Sequence, residues 1–80
     1  MTRIRVRLFA ALREEAGASH LESEGATAGE VVDALGRRFG ERFETIAGSG
    51  SIVVNGERAD RATALVEGDE LALLPPVAGG

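Results

Sequence analysis

Polar and apolar residues alternate strictly through Arg3-Ile4-Arg5-Val6-Arg7-Leu8, the pattern of a strand with one buried face. Ile4, Val6 and Leu8 are assigned to the core. The stretch His20-Leu21-Glu22-Ser23-Glu24 alternates in the same way, and its acidic positions suit cross-strand pairing with the arginines on a solvated face. Between the two, Ala10-Ala11-Leu12-Arg13-Glu14-Glu15-Ala16 is built of good helix formers and meets Gly17, which predicts a short helix. A longer helix is expected after Thr27. Thr27 and Glu30 form a capping box, and Val31, Val32, Leu35 and Phe39 make an apolar stripe that ends near Gly40.

The segment from Gly40 to Gly50, GERFETIAGSG, is expected to be a connection from which Phe43 and Ile46 turn inward. Ser51-Ile52-Val53-Val54 reads as a strand, and Asn55-Gly56 is a strong hairpin signal that returns the chain through Glu57-Arg58-Ala59. Leu65 and Val66 precede a turn at Glu67-Gly68-Asp69, and Glu70-Leu71-Ala72-Leu73-Leu74 is the last strand. This order predicts an α+β fold, a mixed sheet packed on one main helix with right-handed crossovers, which is the β-grasp or ubiquitin-like arrangement. Residues 1–74 form that domain, and residues 75–80 an extended C-terminal tail. Phe9 and Leu74 break the alternation of their strands as large apolar groups. Exposed beside the tail they suggest a docking patch, while Phe9 equally suits a cap on the core where its strand ends.

Eighty residues make one domain with a thin core and no room for a deep private active site, so function is expected to need a partner. The formal net charge of −4 argues against nucleic-acid binding, and no apolar run is long enough to span a bilayer. The start, MTRIRVRLF, lacks a signal-peptide h-region, so a cytoplasmic location is expected. Cysteine is absent, and all nine basic residues are arginine, which leaves no side-chain amine or thiol. His20 is the only histidine, so no metal site is expected. Ser19 beside it lacks the geometry of a nucleophilic triad, because neighbours in a strand point to opposite faces. Gly48-Ser49-Gly50 is not followed by the Gly-Lys-Ser/Thr of a phosphate loop and reads as a flexible loop. Glu14-Glu15 is an ordinary surface pair.

What remains is the ending, Leu74-Pro75-Pro76-Val77-Ala78-Gly79-Gly80. The two prolines stiffen the exit from the last strand. The six residues beyond Leu74 can reach roughly 20 Å when extended. Gly79 and Gly80 permit passage through a channel too narrow for side chains.

Together with Val6-Arg7-Leu8-Phe9-Ala10, Leu12-Arg13-Glu14, Ala16-Gly17, Val54-Asn55-Gly56 and Gly68-Asp69-Glu70-Leu71, this ending resembles the small, sulfur-carrying subunit of molybdopterin synthase. The resemblance runs along nearly the whole chain. It implies that a ubiquitin-activating-type adenylyltransferase uses ATP to adenylate the Gly80 carboxylate. A sulfurtransferase system then converts Gly80 to a thiocarboxylate. It further implies that Pro75, Pro76, Val77, Ala78 and Gly79 insert into the large synthase subunit, that Phe9 and Leu74 dock the sheet there, and that cyclic pyranopterin monophosphate receives the sulfur. On this reading the chain binds no cofactor and is a co-substrate, not an enzyme on its own. Leu74 departs from the pattern, since relatives often have Phe there. Alternatives are a carrier for thiamine thiazole or tRNA thiolation, a ubiquitin-like protein modifier joined through Gly80 to target lysines, and a non-covalent β-grasp interaction module.

Overall fold

Arg3–Leu8 forms strand β1, in which Ile4, Val6 and Leu8 are buried while Arg3 and Arg5 are exposed. The computed structural model describes residues 2–76. Helix α1 (Ala10–Ala16) follows, anchored by fully buried Leu12 and closed at Gly17. Strand β2 is His20–Glu24 and helix α2 is Ala28–Phe39. The expected cap is present at the start of α2: Thr27 Oγ1 accepts from the Glu30 N–H at 3.3 Å. Glu30 Oε1 in turn accepts from the Ala26 N–H at 3.0 Å, one residue before the box as usually drawn.

The stretch expected as a connection is a helix, α3 (Glu41–Ser49). Gly40 separates it from α2 by adopting φ 103°, a left-handed conformation that side chains disfavour, so one helical run bends into two. Phe43 and Ala47, four residues apart, share its buried face with half-buried Ile46 beside them, and Glu41 and Glu44 sit in its first turn, where the helix dipole favours acids. Phe43 is the largest fully buried side chain and lies 5.3 Å from the Phe39 ring, centroid to centroid. Arg42 ties α3 to α1 through a 2.9 Å ion pair with Glu15.

Strands β3 (Ser51–Val54), β4 (Glu57–Ala59) and β5 (Glu70–Leu74) complete a five-stranded sheet in the order β2-β1-β5-β3-β4. β1 and β5 are parallel neighbours at its centre, and the other pairs are antiparallel. One face carries Ile4, Val6, Leu8, Leu71, Leu73 and Val54 into a core shared with Leu12, Val31, Leu35 and Phe43 from the three helices. The long link between β4 and β5 runs beside the start of α2. There the Thr63 and Arg61 carbonyls accept from the Ala28 and Gly29 N–H groups, which have no partner inside their own helix. No helix among the described residues is long and apolar enough to cross a membrane.

Candidate functional site at the exit of the last strand

Residues opposite one another in a sheet share a face, so the strand register defines what the uncovered side presents. Arg3, Arg5 and Arg7 of β1 face Glu24, Glu22 and His20 of β2 there. The expected cross-strand pairing takes a diagonal form, with Arg3 Nε 3.9 Å from Glu22. Towards the end of β5 the chemistry changes. Ala72 lies between Arg7 and Val53, and Leu74 pairs with Ser51.

Phe9 continues the outward parity of Arg3, Arg5 and Arg7 as the strand gives way to α1, and the Arg7 guanidinium sits over its ring at 5.2 Å. That cation–π contact holds the ring in place and leaves it half-buried. Phe9, Ala72, Val53 and Leu74 thus gather on the open face around the end of β5, all half-buried. The two sequence-derived docking residues occupy the same end of the same face. Directly beyond them Pro75 is half-buried and Pro76 exposed. Val77, Ala78, Gly79 and Gly80 lie outside the described residues.

The motifs Val54-Asn55-Gly56 and Gly68-Asp69-Glu70-Leu71 sit at the other end of β5. Asn55 and Gly56 take the left-handed conformations of a tight hairpin, with φ of 49° and 83°. From there Asn55 Nδ2 donates to Asp69 Oδ1 at 2.9 Å, and Asn55 Oδ1 accepts from the Glu70 N–H at 2.9 Å. Asp69 Oδ2 accepts from the Val66 N–H at 2.8 Å. The Arg5 N–H donates to the Asp69 carbonyl and the Gly68 N–H to the Arg3 carbonyl, both at 2.9 Å. These bonds fix where β5 enters the sheet, and with it the register that brings Leu74 to Ser51. The Val66 N–H, then the Asn55 amide, hold the Asp69 carboxyl below its usual range.

Ser19 and His20 lie differently from the arrangement their sequence positions predict. Ser19 precedes β2 rather than lying in it, so the opposite-face argument does not apply, and its Oγ lies 3.0 Å from His20 Nδ1. No carboxylate is bonded to the other ring nitrogen among the described residues, so the pair is a local surface contact without a third member. No cluster of metal-ligating side chains occurs among the described residues. A cavity of about 430 Å³ lined by Thr2, Glu24, Glu30, Asp33 and Arg37 opens at the opposite end of the sheet from Leu74.

One residue of the site escaped the sequence reading. Gly50, read as part of a flexible loop, ends α3 by donating its N–H to the Ala47 carbonyl at 3.2 Å and packs its α-carbon against the Leu74 carbonyl where the tail departs. The glycine-serine-glycine spacing was the available signal. That spacing suits close backbone approach as well as a flexible loop.

The five-stranded mixed sheet with its helices on one face is a β-grasp, which places the chain in the ubiquitin-like class of folds. Within that class the chain belongs to the ThiS family, whose model matches residues 6–80. It is 40% identical to small archaeal modifier protein 1 of Haloferax volcanii over 85 aligned positions, covering 92% of this chain and 97% of that one. The solution structure of small archaeal modifier protein 1 from Methanosarcina acetivorans superposes with a TM-score of 0.88 at 31% identity, over 100% of this chain and 98% of the other. A putative molybdopterin converting factor subunit 1 from Pyrococcus furiosus gives 0.82 at 28% identity, over 96% and 100%. A chain of the complex of subunits 1 and 2 of the molybdopterin-converting factor from Helicobacter pylori gives 0.70 at 25% identity, over 99% and 100%. The chain is a ubiquitin-like sulfur carrier or modifier, a kind of protein found among its structural neighbours in complex with a partner subunit.

Proposed function

We propose that this chain carries sulfur as a thiocarboxylate on Gly80 and delivers it to cyclic pyranopterin monophosphate bound in the large subunit of molybdopterin synthase. A free carboxylate, with an ordinary pKa of about 3.3–3.7, is ionised at neutral pH and is a poor electrophile. An ATP-dependent adenylyltransferase overcomes this by giving the Gly80 carbonyl an AMP leaving group, which sulfur from a sulfurtransferase system replaces. The resulting sulfur is soft, anionic and nucleophilic, as a thiolate is. The chain itself has no cysteine to play that part.

The single observation that carries the reading is the joint placement of Phe9 and Leu74 on the open face beside Pro75 and Pro76. A surface that docks is thereby continuous with a segment that reaches. In this reading Phe9 and Leu74 seat the sheet on the partner, Pro75 to Gly79 thread into it, and Gly80 reacts. The likeness to a chain of a two-subunit molybdopterin-converting complex supports the choice of partner. A short peptide appended after Gly80 tests the terminal mechanism. Sulfur delivery should vanish while the circular dichroism spectrum and melting curve stay those of the unextended chain; delivery that survives the extension rejects it.

The 40% identity to small archaeal modifier protein 1 favours a second reading, in which activated Gly80 is joined to lysine amines of other proteins. The two share the adenylate and part at the acceptor. Mass spectrometry of cell extracts for lysines carrying an isopeptide-linked peptide that ends in Gly79-Gly80 distinguishes a modifier from a chain used only with the synthase.

A further inference from the structure

Gly50 lies in extended backbone, with φ −96° and ψ −157°, so nothing in its conformation demands glycine. Space does. A Cβ placed on its α-carbon would collide with the Leu74 carbonyl oxygen, come within 3.0 Å of the Leu74 carbonyl carbon and 3.2 Å of the Pro75 α-carbon. These are backbone atoms, unable to step aside by rotating a side chain. They are also the last atoms of the sheet and the first of the tail. Gly48, two residues earlier near the end of α3, has nothing within 4 Å of the same construction. At this end of α3 the close approach therefore belongs to Gly50 and not to Gly48.

We infer that Gly50 is a positioning residue for the tail. Its bare α-carbon lets the Leu74 carbonyl and Pro75 lie against the end of α3, and this contact sets the direction in which the chain leaves the open face. Two neighbours make the contact decisive. The N–H of Gly50 is bonded to Ala47 in α3, whose Phe43 is locked in the core, so the glycine cannot retreat freely. Pro75 restricts Leu74 to extended conformations and has a fixed φ of its own, so a small tilt at Leu74 is passed to Pro76 instead of being absorbed. A tilt at Leu74 therefore redirects Pro75 and Pro76, the start of the segment proposed to deliver Gly80. The inference rests on the proposed delivery of Gly80 for its consequence, but not for its geometry.

The test compares Gly50→Ala with Gly48→Ala and the unaltered chain. In Gly50→Ala, the 13C resonances of Leu74, Pro75 and Pro76 should shift while those of Ile4, Val31, Leu35 and Phe43 keep their positions; Gly48→Ala should shift neither set. With thiocarboxylated protein and the large synthase subunit, Gly50→Ala should lower kcat for sulfur transfer on the order of 10–100-fold and leave KM within about twofold, since misplacement near 1 Å can cost that much in rate without removing a docking contact. Unmoved tail resonances would overturn the inference whether or not the chain carries sulfur, and so would moved resonances with unchanged kcat in a competent wild-type reaction. If Gly50→Ala does not fold, the unaltered chain decides: nuclear Overhauser effects between the Gly50 and Pro75 α-protons are expected, and their absence refutes the contact. A wild-type chain that accepts no sulfur would reject the proposed function while the resonance measurement still decides the geometry.

Discussion

Asp69 joins three parts of the chain with one carboxylate, accepting from the Val66 N–H and from the side chain of Asn55 while its own carbonyl receives the Arg5 N–H. Both bonds to the carboxylate favour the charged form, so its folded pKa lies below the ordinary value of 3.8. A group lowered on folding contributes stability that is fully present above its unfolded pKa and is lost as the pH falls through its folded one. Asp69→Asn should therefore unfold at lower urea than the wild type at pH 7, and the gap should close as the pH is brought below the ordinary aspartate range. A gap constant with pH would contradict this role. At the other end of β5, the proposed docking to a large synthase subunit requires that Phe9→Ala and Leu74→Ala each weaken binding to it by about 1–2 kcal/mol, roughly 5–30-fold in Kd by titration calorimetry. Unchanged affinity in both would remove the open face from the interface.

Among the elements, α3 carries the chief correction. The strands and α2 were legible because their periods are long enough to declare themselves: six alternating residues in β1, a capped stripe in α2. In α3 the apolar positions are Phe43, Ile46 and Ala47 only, and glycines at 40, 48 and 50 bound or interrupt the run, so turn chemistry outweighed a short helical spacing. The core depends on it nonetheless. Phe43→Ala should cost about 3–5 kcal/mol of unfolding free energy in a denaturant titration, as removal of a buried aromatic does, whereas a side chain in a true surface loop would cost under about 0.5 kcal/mol. The outward placement of Phe9 and Leu74 was visible as breaks in alternation, because parity is a property of sequence. The stack of Arg7 on Phe9 and the seat of Leu74 beside Gly50 were not, because they depend on how α1 and α3 pack against the sheet.

At the scale of the whole molecule, the sheet works as a platform with two differently prepared ends. One end of β5 is fastened by Asn55 and Asp69, and the other releases the chain over an apolar patch, held in direction by Gly50. Having neither lysine nor cysteine, the chain offers no amine or thiol side chain to an activated carboxyl group, and in this account the reactive atom it presents is the one installed at Gly80. The most direct test of that claim is the intact mass of the untagged chain after incubation with ATP, its activating enzyme and a sulfur source. The account requires a gain equal to replacement of one oxygen by sulfur, localised to Gly80 by fragmentation and absent when ATP is withheld. An unchanged mass, with the same enzymes shown to thiocarboxylate another carrier, would contradict it.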